Sequence, residues 1–339
     1  MQIIKYILIS TLAISALFIN NNAFAEEVNV YSYRQPFLVQ PLFDKFTEAT
    51  GIKVNVVFAK QGLSERLERE GRNSPADLIF TVDIGRLFEV SDKQLTQSVS
   101  LEALNQNIPS QYRDPKGHWF GLTTRTRSIF ASKERVDLAT IKNYEDMSKP
   151  EWKGRICSRS GKHAYNLALI ASMIAHNGLE NTRVWLTGVK TNLAQKPQGN
   201  DRSQVKAIKE GVCDISLGNN YYFGSMLMDK EQKAWADAVF ITFPNQDNRG
   251  THVNISGMAL AKYAPNKANA EQLMIFLSEK TAQEMYAEQN FEYPVNPKVK
   301  PSELVRSWGE FKSDSLSLAE VAKLRKQAAQ LVDQVGFDD

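Results

Sequence analysis

The sequence predicts an α/β protein of two lobes with a ligand cleft between them. Three observations carry that expectation. Strand and helix signals alternate from residue 28 to residue 82, a second α/β run follows from residue 128, and the chain opens on an export-type leader.

The leader reads "MQIIKYILISTLAISALFINNNAFAEEVNV". Lys5 is its positive start, "YILISTLAISALFI" its apolar stretch and "AFA" a small-x-small cleavage site, so the expected signal peptide is residues 1–25, cut after Ala25. An uncleaved membrane anchor is the alternative, disfavoured by the short apolar run. Cleavage would leave 314 of 339 residues and, with Lys5 gone, lower the net charge from +3 to +2. Such a near-neutral chain shows no pull toward nucleic acid or toward insertion in a membrane. Its length suits two domains with ample core.

"VNVYSY" (28–33) alternates as a strand. Pro41 suits a helix first turn, Val39, Leu42, Phe43 and Phe46 follow the helical stripe, and Gly51 closes it. "KVNVVFA" (53–59) is the second strand, "GLSERLEREG" (62–71) a charged helix and "ADLIFTV" (76–82) a third, apolar strand. This βαβαβ order means a parallel sheet covered on both faces. No phosphate-binding glycine fingerprint follows the first strand.

The second run predicts a strand at 128–132, a helix at 166–178 ending on Gly178, a helix at 203–211 with Ser203 as N-cap and a strand at 213–218. Strands at 238–244 and 253–261 follow, then amphipathic helices at 270–288 and 318–337. Ligands of open α/β sheets sit beyond the carboxyl ends of strands. "YSYRQP" and "LGNNYYFG" fall at such ends.

Both cysteines, Cys157 and Cys213, lie beyond the leader. In an exported chain the even count makes one disulfide the default, with two buried thiols as the alternative. Cys157 precedes Tyr165 by eight residues, and Cys213 precedes Tyr221 by eight. If the cysteines are bonded and the two segments run in parallel, Tyr165, Tyr221 and Tyr222 converge. Phenols in a cleft can stack on sugars or cations, hydrogen-bond polar ligands or pack in a core. Ionised, they are hard oxygen ligands of the kind that holds ferric iron. The four histidines, His118, His163, His176 and His252, show no metal-ligand spacing.

The segments "VNVYSYRQPFLVQPLFDKFTEATGIKV", "SPADLIFTVDIGRL", "WFGLTTRTRSIFAS", "WKGRICSRSGKHAYN", "GVCDISLGNNYYFG" and "YPVNP" resemble the periplasmic ferric-iron-binding proteins of ABC importers. These are transferrin-like, type II solute-binding proteins, and the likeness runs from residue 28 to the C-terminus. It implies two α/β lobes joined by hinge strands, here 26–125 with about 250–300 and about 126–249 with 301–339. One Fe(III) would lie between them, with Tyr221, Tyr222 and, as in the tyrosine-rich branch, Tyr165 as ligands. Many relatives carry a His-Tyr pair or a His near the end of the first strand, where this chain has Gln35 and Pro36. Tyr33 or Gln35 could supplement the shell; the reading favoured here is that the first lobe gives no direct ligand and that carbonate or bicarbonate completes it. Arg34 and Arg125 are the candidates to hold that anion, Arg127 being the alternative to Arg125 and a salt bridge the plainer role for each. The "SGKHA" turn could add backbone N–H groups.

The resemblance also implies delivery to an inner-membrane permease and its ATPase by a periplasmic, monomeric, non-enzymatic protein. No G-x-S-x-G, H-E-x-x-H or P-loop appears. The rival reading is a binder of the same fold for a polyamine, sugar or oxyanion.

Overall fold

A computed structural model of the chain describes residues 26–339, so the expected signal peptide lies outside the described residues. Nine strands form its sheets: β1 Glu27–Ser32, β2 Lys53–Phe58, β3 Leu78–Thr81, β4 Phe120–Ser132, β5 Ile156–Cys157, β6 Ile215–Asn219, β7 Val239–Thr242, β8 Val253–Leu260 and β9 Tyr293–Pro294. The path is β2-β1-β3-β8-β4-β6-β5, with β7 and β9 also paired to β4. As the βαβαβ pattern predicts, β1 lies parallel between β2 and β3. β8 then enters antiparallel beside β3.

β4 organises the molecule. Residues 120–126 pair with β8, and residues 127–131 pair with β6. One strand thus serves a first and a second half-sheet, and its direction passes from one to the other between Thr126 and Arg127. All thirteen of its residues are buried. Only 128–132 reads as a strand from the sequence, because "FGLTTRTR" is too polar to show apolar periodicity. Its polar groups are paired instead: Thr123 shares a hydroxyl contact with Ser256, Thr126 N–H donates to Asn220 and Arg127 N–H to the His252 carbonyl.

The helices covering the first half-sheet are α1 Pro36–Thr50, α2 Leu63–Glu70, α3 Ile84–Asp92 and α4 Glu102–Asn107. α1 buries Val39, Leu42, Phe43 and Phe46 and ends on a left-handed Gly51, as expected. It starts at Pro36, however, so Pro41 stands inside the helix rather than in its first turn. Next come α5 Ala164–Thr191, α6 Asp201–Lys209, α7 Asn220–Met228 and α8 Lys233–Asp237. α5 runs past the expected stop, with a break at Gly178 (φ 77°, ψ 164°). α6 is capped by Asn200, and Ser203 answers from the other side of a reciprocal cap. The chain finishes with α9 Lys267–Ser278, α10 Lys280–Asn290, α11 Glu303–Arg306, α12 Leu318–Lys323 and α13 Arg325–Val335. The expected helices 270–288 and 318–337 are therefore each split. An extended Glu279 breaks the first, and Leu324 separates the halves of the second.

One core joins Val28, Phe43, Phe80, Leu273 and Tyr286 under the first half-sheet. Another runs from Ile79 through Ile129, Leu169 and Trp185 to Leu331. A third, of Phe130, Val205, Phe223, Met226 and the two cysteines, anchors α6 and α7 against β4. Each large side chain there contributes about 2 kcal/mol by leaving water. That packing fixes where α7 begins.

Candidate metal centre

The phenols come together because two neighbouring strands end in two helices. β5 and β6 lie parallel, Ile156 opposite Ile215 and Cys157 opposite Ser216. A disulfide joins Cys157 to Cys213 with their Cα atoms 5.8 Å apart. From the same edge each chain turns into a helix. Tyr165 is the second residue of α5, whose N-cap His163 accepts the Tyr165 N–H through Nδ1 (3.3 Å). Tyr221 and Tyr222 are the second and third residues of α7. Adjacent tyrosines on a strand would face opposite ways, but on a helix they diverge by about 100°. Their ring centroids lie 4.4 Å apart.

The Tyr221 hydroxyl donates to the Tyr165 hydroxyl at 3.0 Å and accepts from the Asn219 amide at 3.3 Å. Helix N-termini favour negative charge, which suits phenolate. Burial opposes it and is the main reason the Tyr221 pKa stands well above its ordinary value, with Tyr165 and Tyr222 adding to the rise and Arg125 countering it. Tyr222 is pushed up likewise, first by burial and then by Tyr165 and Asp201. Both therefore hold their protons at neutral pH until something stronger displaces them.

Arginines surround the trio. The Arg125 guanidinium lies 5.8 Å from the Tyr221 ring, Arg159 and Arg127 lie 5.5 and 6.0 Å from Tyr165, and Arg202 lies 5.9 Å from Tyr222. Arg125 and Arg127 share a strand face, as expected, and line one small pocket with Tyr165, Asn219, His252 and Asn254. Their partners differ. Arg125 donates to Glu292 (2.9 Å) and to the Val82 carbonyl (2.7 Å). Arg127 donates to Asp201 (2.6 Å), Asn166 (2.6 Å) and Asn219 (3.0 Å). Arg34 also reaches Glu292, at 2.8 and 3.3 Å. Each of these three arginines keeps a buried Nε with no partner.

Other candidates are occupied elsewhere. The Tyr33 hydroxyl is bonded to Ser64, and its ring lies 4.2 Å under the Arg86 guanidinium. Gln35 is exposed at the start of α1 and makes no capping bond. In the "SGKHA" turn the Gly161 N–H donates to Asp338, Lys162 N–H to the Ser160 hydroxyl and His163 N–H to the Ser160 carbonyl. Those groups are therefore already satisfied. Among the described residues no cluster of His, Cys, Asp or Glu is placed to hold a metal.

Sequence reasoning missed Glu292, Asp201 and Arg159. Asp201 is fully buried and receives Arg127, Arg159 and the Asn219 N–H. No motif marks either carboxylate. The available signal was position alone: Glu292 opens "EYPVNP", and Asp201 starts a helix.

A family model for bacterial extracellular solute-binding proteins matches residues 73–307. The chain belongs to that family. Among solute-binding relatives, iron uptake protein A1 of Synechocystis is 42% identical over 92% of this chain and 88% of its own. The apo ferric ion-binding protein A of Pasteurella haemolytica superposes with a TM-score of 0.90 at 53% identity, over 93% of this chain and 99% of that one. A Trichodesmium FutA protein in complex with iron and citrate ligands gives 0.88 at 40%, over 92% and 99%. The fold is accordingly the two-lobe, type II binding-protein fold. No described helix is long and apolar enough to cross a membrane.

Proposed function

We propose that this chain is a periplasmic, non-enzymatic binding protein that captures ferric iron and delivers it to an ABC permease and its ATPase. Relatives named for ferric iron binding and iron uptake support the cargo. The observation that carries the site is the 3.0 Å contact between the Tyr165 and Tyr221 hydroxyls with Tyr222 alongside. Three phenolates neutralise Fe³⁺. Beside them, Arg34, Arg125, Arg127 and Arg159 are paired with two buried carboxylates, Glu292 and Asp201, and Arg202 near Tyr222 adds a further positive charge. The surplus of at least two positive charges suits an oxyanion such as carbonate, and a guanidinium matches a planar oxyanion. Arg34, Arg125, Arg127 and Arg159 each keep a buried Nε without a partner, so all four have a donor to offer such an anion.

In this reading the protein acts as a monomer. The lobes are residues 26–125 with about 250–300 and about 126–249 with 301–339. Iron meets the second-lobe phenols first, and closure about β4 then brings the lobes together. The permease would meet the closed form.

The test is a titration of purified apoprotein with ferric iron and bicarbonate. A visible phenolate-to-iron charge-transfer band is expected, weakened in Tyr165→Phe. A colourless protein that binds a polyamine, sugar or oxyanion by calorimetry would overturn the iron reading. An unchanged band in the variant would remove Tyr165 from the site.

A further inference from the structure

Glu292 sits where two guanidiniums from different elements meet. It lies between α10 and β9 and is buried with 2% of its surface exposed. Arg34, two residues beyond the end of β1, gives it two bonds, and Arg125 of β4 gives it one. Burial alone would raise its pKa, but the two arginines hold it below the ordinary carboxylate range. It is therefore an anion at neutral pH, and it cancels one of the two positive charges. Asp201 plays the matching part for Arg127 and Arg159. The two carboxylates differ in one respect. Asp201 also accepts a backbone N–H that holds the end of β6, whereas among the described residues the side chain of Glu292 accepts from arginines alone.

The same segment reaches the phenols. The carbonyl of Phe291 accepts from the Asn220 amide at 3.0 Å. A Cβ added to Gly224 of α7 would meet the Phe291 ring at 2.5 Å, so ring and helix are in contact. The carboxylate facing the arginines is thus one residue from a contact with the helix that carries Tyr221 and Tyr222.

We infer that Glu292 is a specificity-determining residue: its buried charge sets the charge of the anion that accompanies the metal, favouring a dianion over a trianion. The inference rests on the reading given under Proposed function. With Glu292 in place the four carboxylate-paired arginines carry a surplus of two positive charges; without its charge they carry three. At the effective dielectric typical of a protein surface, one unit charge several ångströms away changes anion affinity on the order of tenfold or more.

The experiment loads the mature protein with ferric iron in carbonate-free buffer supplemented with bicarbonate or with citrate. It reads the visible band and the half-life of iron against a competing chelator. For wild type, retention is expected to be longer with bicarbonate. In Glu292→Gln the ratio of half-lives should move on the order of tenfold toward citrate. Glu292→Asp, which keeps the charge, should restore the wild-type order. Arg34→Gln should move the ratio the opposite way, and it tests the same charge count if Glu292→Gln does not fold.

Equal losses with both anions in Glu292→Gln would overturn the inference, because a purely structural role lowers both alike. A wild type that shows the band yet retains iron equally with no added anion would overturn the anion part of the functional reading instead. Absence of the band would overturn that reading altogether.

Discussion

The Tyr221 hydroxyl donates to the Tyr165 hydroxyl across 3.0 Å, although the two residues are 56 apart in sequence. Between neutral phenols this bond contributes about 1 kcal/mol, so removing it should barely alter the apoprotein. In the proposed iron site, removing one of three anionic oxygens should matter far more. Tyr165→Phe is expected to keep its urea midpoint close to wild type while losing iron to citrate at least about tenfold faster. Equal retention in the two proteins would exclude Tyr165 as a ligand.

Arg125 and Arg127 should separate by what they destabilise. Without Arg127, fully buried Asp201 keeps Arg159 and the Asn219 N–H but loses its shortest partner. Arg127→Ala is expected to cost about 3 kcal/mol of folding stability. Arg125→Ala leaves Glu292 held twice by Arg34 but frees the Val82 carbonyl, so about 1 to 2 kcal/mol is expected, with faster iron loss as its main effect. Denaturant titration of both apo-variants checks the order. A larger stability loss for Arg125→Ala would show that the first half-sheet depends on it more than its bonding suggests.

Apoprotein stability should fall with acid well before the carboxylates titrate. The His252 ring is buried with a partnerless Nε2, and burial pushes its pKa down to about 4; Arg127, Arg249 and His176 push the same way, and Asp314 opposes them. An unfolded histidine takes up its proton near pH 6.5. Between those values the unfolded chain binds more protons than the folded one, so stability rises with pH there and is lost as pH falls from about 6.5 toward 4. The full loss from this residue is on the order of 3 kcal/mol. His163 acts in the same direction, pushed down to about 3 by burial and Arg159. Urea midpoints at pH 7.5 and 5 should differ in wild type and differ less in His252→Gln. An equal difference in both would assign the acid sensitivity elsewhere.

Local patterns in the sequence anticipated the parts of this molecule that local patterns determine. The parallel β2-β1-β3 core, the buried stripe of α1 and its Gly51 stop follow from periodicity and turn chemistry. The equal Cys–Tyr spacings anticipated the meeting of Tyr165 and Tyr221, because parallel β5 and β6 keep both chains in step. What escaped was set by long-range contacts. The polar half of β4 is a strand because β8 and β9 flank it, not because its residues prefer one. Glu292 matters through Arg34, 258 residues away. The start of α7 at "NYYFG" was hidden because Phe223 and Met226 reach their core only once β4 and α6 are in place.

Gly224 lies in the same helix, one turn beyond the tyrosines. A Cβ there would lie 2.5 Å from Cγ and 2.7 Å from Cβ of Phe291, whose own backbone is left-handed at φ 55°. Neither side yields easily, since Phe291 is held by the Asn220 amide and is followed by the buried Glu292. Gly224→Ala should therefore push α7 off its seat, at a cost of about 1 to 3 kcal/mol. Alanine favours helix over glycine by about 1 kcal/mol, so the net loss should be smaller than the clash alone. Because Tyr221 and Tyr222 ride on the first turn of α7, iron retention should fall along with the thermal midpoint. Phe291→Gly in the same chain removes both clashing atoms at a left-handed position that glycine adopts readily, and it should restore part of both. If the double variant retains iron no better than Gly224→Ala, the contact between Phe291 and α7 is not what holds the phenols in place.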